Sequence, residues 1–406
     1  MAGDVKHPNT TSIPGPVQPT RAPQSPAPAG VDIIGFSPAS GTPEARRFCD
    51  VGAAIQRQTP GRIVASLATT THRISPAFGF YEHGRARHFV ASRNGVDIGR
   101  CSAIINDQAQ QADAELVGYI GQWECIDDAS TARALLDAAI AWLAGEGCHQ
   151  VVGPIDFSTW FGYRFSLGPW DGETLAFEPG TPPHYVTQWL SYGFHLRRTY
   201  VTTVREDIAS GLFTGDAKLA SSIAAGYTFC HMRMRDFDAL LRSMYAQSKA
   251  AFANAPDAAP ITWDDFRDMY AGLRTLLDPR LVWFVRAPDG SVAGMALALP
   301  NHARALRALG GRSTLRARIA ALLRMHQATD VLFKTIFIHP DHQGQGLSVA
   351  LAQRVWTSAH NLGYRKVYHH LMDESNMSLD NSERSGTVPA RRYGLFELQL
   401  RDANVT

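Results

Sequence analysis

VLFKTIFIHPDHQGQGLSVALAQRVWTSAHNLGYRKV, residues 331–367, is the stretch whose reading decides the fold. Its first eight residues are rich in β-branched and aromatic side chains, as a buried strand requires. His339-Pro340-Asp341 ends that strand, because proline cannot donate to a central ladder. Gln343-Gly344-Gln345-Gly346-Leu347-Ser348 follows, after which Leu347, Leu351, Val355, Ala359 and Leu362 share one helical face. Gly363 stands where a helix commonly stops. A strand, a glycine turn and a helix start together make an anion site. The first N–H groups of a helix have no internal partner, and glycines let an anion approach the backbone. The helix dipole adds roughly 0.3–1 kcal/mol for an exposed anion. Gly-x-Gly alone also fits an ordinary strand-to-helix turn.

Outward from this stretch, the 406 residues give room for two or three domains. A hydrophobic share of 45% suits ordinary globular cores, and a net charge of +2 gives no global bias toward nucleic acid or membrane. Cys49, Cys101, Cys125, Cys148 and Cys230 are scattered, odd in number and without a CxxC pair. They are expected to be reduced thiols in a cytoplasmic protein, not a disulfide frame or a metal site. No apolar run approaches the ~18 residues of a membrane span, so no membrane partner is expected. Residues 1–30, rich in Pro, Ala, Thr and Ser, are expected to be disordered. Zincin, nucleophile-elbow and Walker motifs are absent.

The chain repeats itself. FVASRNGVDIGRCSAIIN (89–106) matches FVRAPDGSVAGMALALPN (284–301) at Phe, Val, Gly, Gly, Ala and Asn. ALLDAAIAWLAGEGCHQV (134–151) matches ALAQRVWTSAHNLGYRKV (350–367) at Ala, Leu, Gly and Val. Two matches in the same order indicate an internal duplication. The first copy is expected to hold a hairpin turning at Arg93-Asn94-Gly95, a strand over 115–125, and a helix capped by Ser130 and ended by Gly147. The helix alignment lays Gln343 to Ser348 over Asp127 to Ala132. Two carboxylates and no glycine there make a good helix cap and a poor phosphate turn.

Gln343-x-x-Gly346-x-Ser348, after a strand and before a helix, resembles the acetyl-CoA-binding motif of the GNAT acyltransferase superfamily, with Ser348 where that family prefers Gly or Ala. Gly363-Tyr364, the strand over 366–372 and Asn376 at a further helix start follow the family's order. Together with GPIDFSTWFGYRF (153–165), PPHYVTQWLSYGF (182–194) and the stretch 261–301, the whole chain resembles the tandem-GNAT proteins. The resemblance implies an α/β fold with an α+β mixed sheet, built from two fused GNAT folds. Residues 31–210 would form a degenerate first domain and 211–406 the CoA-binding one. It implies an acyl-CoA-dependent N-acyltransferase that uses acetyl-CoA or another acyl-CoA on a small amine or amino-acid-like acceptor.

On this resemblance, backbone groups of Ile336, Phe337 and Ile338 polarise the thioester carbonyl. Gln343, Gly344, Gln345, Gly346, Leu347 and Ser348 hold the donor, and Asn376 lies near the pantetheine arm. The family's usual acid is a tyrosine four residues before a Gly-Phe pair. Counted back from Gly386, that slot holds Ser382, and Thr387 stands at the Phe position. Tyr368 or Tyr393 can substitute. His369 and His370 point to opposite faces of their strand, so one can face the cleft as base or relay, with Asp373 and Glu374 as alternatives.

Arg304, Arg307, Arg312, Arg316, Arg318 and Arg324 lie in a segment without an acidic residue. They are either a solvated helix face or a contact for CoA phosphates, an acyl-carrier protein or tRNA. Phe157, Trp160, Phe161, Tyr163, Phe165 and Trp170 either line a cleft between the copies or pack. A transferase using aminoacyl-tRNA or a carrier-protein thioester, and a non-catalytic acyl-CoA-binding module, are the alternatives. The duplication lessens the need for a homodimer, and monomer and homodimer both stay open.

Overall fold

The computed structural model describes residues 30–109, 115–170, 172–212, 215–252 and 259–400; the disorder expected of the N-terminal tail falls on residues that lie outside these. In the first half, β1 (Asp32–Phe36) precedes helices α1 (Pro43–Gln58) and α2 (Leu67–Arg73). The hairpin of β2 (Gly84–Arg93) and β3 (Val96–Asn106) turns on Asn94 and Gly95, both at positive φ, as a two-residue turn of this hand requires. Then come β4 (Val117–Cys125), α3 (Ala129–Gly145), β5 (Gln150–Gly153), β6 (Phe165–Gly168), α4 (Pro183–Tyr192) and β7 (His195–Arg205).

The second half repeats the succession after α5 (Asp216–Ala224): β8 (Thr228–His231), α6 (Phe237–Phe252), α7 (Trp263–Tyr270) and α8 (Leu273–Leu276). The hairpin of β9 (Val282–Arg286) and β10 (Val292–Pro300) carries two added helices, α9 (Ala303–Leu309) and α10 (Leu315–Met325). β11 (Asp330–Ile338), α11 (Leu347–Asn361), β12 (Lys366–Asp373), α12 (Met377–Arg384) and β13 (Val388–Gln399) complete it. This is the mixed-sheet α/β fold expected from the sequence.

The thirteen strands of the described residues form one sheet, in the order β1-β2-β3-β4-β5-β13-β7-β12-β11-β10-β9-β8, with β6 beside β13. The two halves exchange their last long strands. β13 pairs with β5 of the first half, β7 pairs with β12 of the second, and β7 and β13 pair with each other antiparallel. Cores lie on both faces. α3 and α4 cover the first half with Leu135, Leu136 and Trp189, packed with Phe396 of β13, while α11 covers the second with Leu351, Val355 and Trp356. α6 and α7 pack Leu240, Leu241 and Phe266 on the opposite face of β10.

Candidate functional site

The site grows from the place where β11 and β12 part. They run parallel and pair from Asp330–Lys366 to Phe333–His369, and no further. Beyond Phe333, β11 continues to Ile338 with only β10 beside it. Its edge toward β12 therefore keeps unpaired backbone groups, which a ligand can satisfy. Ile336 is exposed on that edge, and Phe337 and Ile338 are half-buried.

At the end of β11 the chain turns into α11. Gly344 and Gly346 sit at φ 76° and 78°, the left-handed region that favours glycine. Gly346 is the N-cap of α11 and gives no side-chain hydrogen bond to the helix. The first N–H groups of α11 are thus left to an external acceptor. Tyr227 steadies the turn: its hydroxyl donates to Gln345 Oε1 at 2.6 Å and lies 3.0 Å from His342 Nδ1. Gln343 Nε2 donates to Ile338 O at 3.3 Å. Lys218 of α5 lays its aliphatic stem against Gly346, where a Cβ would fall 2.9 Å from its Cδ. An exposed ammonium thus stands beside a helix start that lacks an anion. Leu347 is buried and Ser348 exposed. Asn376 caps α12 by accepting from Ser378 N at 2.9 Å.

The equivalent place in the first half is closed. β4 and β5 pair from Val117–Gln150 to Tyr119–Val152. The chain after β5 then stays on β4. Ile155 N donates to Ile120 O at 2.9 Å, and Gln122 N donates to Asp156 Oδ1 at 2.6 Å. The helix start is also taken: Asp128, not Ser130, is the N-cap of α3, accepting from Thr131 N at 2.9 Å. Ser130 donates to Asp128 instead, and Arg93 pairs with the same carboxylate at 2.9 Å. These bonds hold Asp128 well below the usual carboxylate range, Arg93 first among them. With its own anion in place, α3 begins at Ala129, two positions earlier than the alignment with α11 predicts.

His369 and His370 lie just where β11 and β12 part, on opposite faces. His369 packs between Phe333 and Trp356 on the α11 side, and Ser382 Oγ lies 2.6 Å from its Nδ1. Burial lowers its pKa to about 4. Ser382 is itself buried and bonded to Thr203 and Thr387. His370 faces the other way. Its Nδ1 is 3.3 Å from Lys334 Nζ, and its Nε2 is 3.5 Å from Glu178 Oε1. Glu178 accepts from Thr202 Oγ1 at 2.6 Å and from the Tyr393 hydroxyl.

Burial drives both titratable partners toward neutrality: His370 falls well below its ordinary value and Glu178 rises above its own. Lys334 falls to about 8 through burial, an effect that the Glu178 charge opposes and Arg164 reinforces. A neutral His370 that accepts from Lys334 at Nδ1 must carry its proton on Nε2, toward Glu178.

Glu178 reaches this place because the first half extends a segment over the second. Leu175 and Ala176 pack on Ala303 and Leu332, and Ala176 N donates to Asn301 Oδ1 at 3.2 Å. Tyr368 lines a neighbouring cleft of about 210 Å³ with Glu173, Arg304, Arg307, Asp330 and Arg391. Asp373 is paired with Arg198 at 2.9 Å and Glu374 lies 3.6 Å from Arg392, both on the surface side of the strand end. Of the aromatic cluster, Phe157 and Phe165 pack in first-half cores, Trp170 is exposed, and Trp160 Nε1 donates across the halves to Ala259 O at 2.7 Å.

The sequence pointed to the turn and to both histidines, but not to Lys334, Glu178 or Lys218. A lysine inside an otherwise apolar strand was an available signal for the first. The other two reach the site only through tertiary structure.

Residues 241–380 match the model of the Acetyltransferase (GNAT) family. The chain is 24% identical over 273 residues to the "Bacterial ceramide synthase" of Caulobacter vibrioides, covering 66% of this chain and 70% of that protein. It is 20% identical over 319 residues to "Protein YghO" of Escherichia coli, covering 77% and 82%. Among solved structures, a tandem GNAT protein from the clavulanic acid biosynthesis pathway superposes with a TM-score of 0.51 at 12% identity, covering 92% of this chain and all of that one. The last comparison speaks to fold alone.

Proposed function

We propose that this chain, an acyltransferase with a GNAT domain in its C-terminal half, moves the acyl group of an acyl-CoA onto the nitrogen of an amine by direct attack on the thioester. One observation carries the reading: an uncapped, glycine-bearing helix start lies at the end of a strand whose free edge begins beside Lys334 and His370. The residues suit a CoA thioester chemically. The N–H groups of α11 and the Lys218 ammonium offer donors to phosphate. The open edge of β11 at 336–338 offers backbone donors to the thioester carbonyl, and Ile336 offers apolar surface to an acyl chain.

In the reaction a C–N bond forms and a C–S bond breaks. The amine gives up a proton and the thiolate takes one. Lys334, lowered to about 8, is the group we assign as proton acceptor. His370 accepts a hydrogen bond from it, which leaves the His370 proton on Nε2, 3.5 Å from Glu178. Tyr368, in the adjoining cleft, is the available hydroxyl for the leaving thiolate. Buried thiols at Cys49, Cys101, Cys125 and Cys148 fit the reducing cytoplasm in which this chemistry is placed.

Ceramide is the N-acyl amide of a long-chain amino alcohol. Similarity to a ceramide synthase therefore puts long-chain amino alcohols beside amino-acid-like amines as first acceptors to test. Acetyl-CoA, octanoyl-CoA and palmitoyl-CoA would be titrated calorimetrically, then incubated with each amine class while thiol release and amide mass are followed. Thiol release coupled to an amide product, lost with donor binding in Gly346→Asp, is the expected result. Binding without any amide would favour a non-catalytic module. Absence of binding would end the CoA reading and turn the search to carrier-protein and aminoacyl-tRNA donors.

A further inference from the structure

Helix α10 is built inside out. Leu315, Ile319, Leu322 and Leu323 are 73%, 48%, 60% and 69% exposed. Their spacing of i, i+4, i+7 and i+8 makes one apolar stripe about 100° wide. The opposite side carries alanines: Ala321 is buried, and Ala317 and Ala320 partly so. Arg316 and Arg318 flank the stripe on its two sides. Residues 301–329 contain six arginines and no carboxylate. Among the described residues only Arg307 of these is ion-paired, with Glu173. Arg304, Arg312, Arg316, Arg318 and Arg324 are exposed. The helix is held in place: Thr314 caps it, and Leu67 N of the first half donates to Gly311 O at 3.0 Å just before it.

We propose that α10 is an interfacial anchor that lies on an anionic lipid surface. The four aliphatic side chains enter the acyl boundary, and the flanking arginines meet headgroup phosphates while their stems stay apolar. An eleven-residue helix is far too short to cross a bilayer, and no helix among the described residues is long and apolar enough to do so. The expectation of no membrane partner, drawn from the lack of a span, therefore narrows to no crossing. Charge complementarity selects this occupant. A second copy would bring the arginines of both chains around one seam. A nucleic acid would meet the arginines yet leave the aliphatic stripe in water. The inference rests on this surface and not on the assigned reaction.

The test is co-sedimentation of the full chain with phosphatidylcholine vesicles and with phosphatidylcholine–phosphatidylglycerol vesicles. The full chain is expected to sediment with the anionic vesicles, at least tenfold more than with the neutral ones, and to be released by salt. The Ile319→Ser/Leu322→Ser/Leu323→Ser variant should lose this binding at least tenfold with unchanged circular dichroism and Tm, because these side chains are exposed. Arg316→Gln/Arg318→Gln should lose the preference for anionic lipid. Failure of the wild type to sediment with anionic vesicles would overturn the proposal. So would a serine variant that still sediments, or one that merely dissolves a dimer seen by ultracentrifugation without vesicles. Arginine-dependent binding of tRNA or carrier protein that ignores the serine changes, in a chain that does not bind vesicles, would assign the face to that partner instead.

Discussion

The two halves run through the same order of strands and helices, yet they treat the strand-to-helix turn in opposite ways. In the first half the turn carries Asp128, which caps α3 and is locked by Arg93 and Ser130. The parting strands there are sealed by Ile155 and Asp156. In the second half the turn carries Gly344 and Gly346 in left-handed geometry, α11 has no side-chain cap, and the strands stay open beyond Phe333. The same architecture is made self-sufficient in one copy and needy in the other. The donor binding we propose draws on what the second copy leaves unsatisfied, and the first copy uses the same groups for its own stability.

The largest effect should come from giving the second turn the chemistry of the first. Gly346→Asp forces a side chain into a left-handed position against Lys218 and adds a negative charge at the helix start. Acyl-CoA affinity should fall at least ~100-fold by calorimetry, the order expected when a phosphate loses its backbone cradle and meets a like charge. An unchanged affinity would break the comparison.

Lys334→Met should act on turnover at a comparable scale. Loss of a positioned base typically costs about 10²–10⁴-fold, so kcat should drop within that range while the KM for acyl-CoA holds. In the wild type, kcat/KM should rise with pH through about 8, because only the deprotonated amine can accept a proton. A flat profile up to pH 9 would remove Lys334 from the role.

Lys218→Ala removes one exposed cation beside the turn and should weaken acyl-CoA binding by up to about fivefold, the scale of one surface charge contact. Asp128→Ala should leave donor binding untouched and cost about 1 kcal/mol of stability in a denaturant titration, the usual value of a lost N-cap.

A last effect is on pH stability. His369 has a folded-state pKa of about 4 against an ordinary 6.5, so between those values the unfolded chain binds the extra proton. Stability at neutral pH should therefore be lost progressively as pH falls from 6.5 toward 4. His88, lowered to about 3 in the first half, adds to the same trend. His369→Phe should flatten part of that slope in thermal melts.

The glycine turn, α11 and the hairpins were legible because each is encoded by neighbours within twenty or so residues, and the duplication because two such local patterns recur in the same order. The closed state of the first turn was half legible. Asp127-Asp128 announced a cap, with Ser130 mistaken for it because the capping carboxylate comes first in line. Nothing local announced Asp156 as a plug. The partners of His370 were hidden for a different reason. Glu178 belongs to the other half, and Lys334 meets His370 only because parallel pairing sets Phe333 opposite His369. The arginines around α10 were legible as a solvated face or an anion contact, whereas the exposed aliphatic stripe between them shows only in the structure.

The exchange of β7 and β13 has a consequence for how the protein can be made. β5, near residue 150, finds its second neighbour only in β13, which ends at Gln399. During synthesis the first half must therefore keep an open strand edge, with Trp189 lacking its neighbour Phe396, until β13 has left the ribosome. Pairings so distant in sequence make folding slow, and they tie the two halves into one cooperative act in place of two successive ones. A truncation that removes β13 should accordingly damage the first half, although β13 follows the second half's elements in sequence.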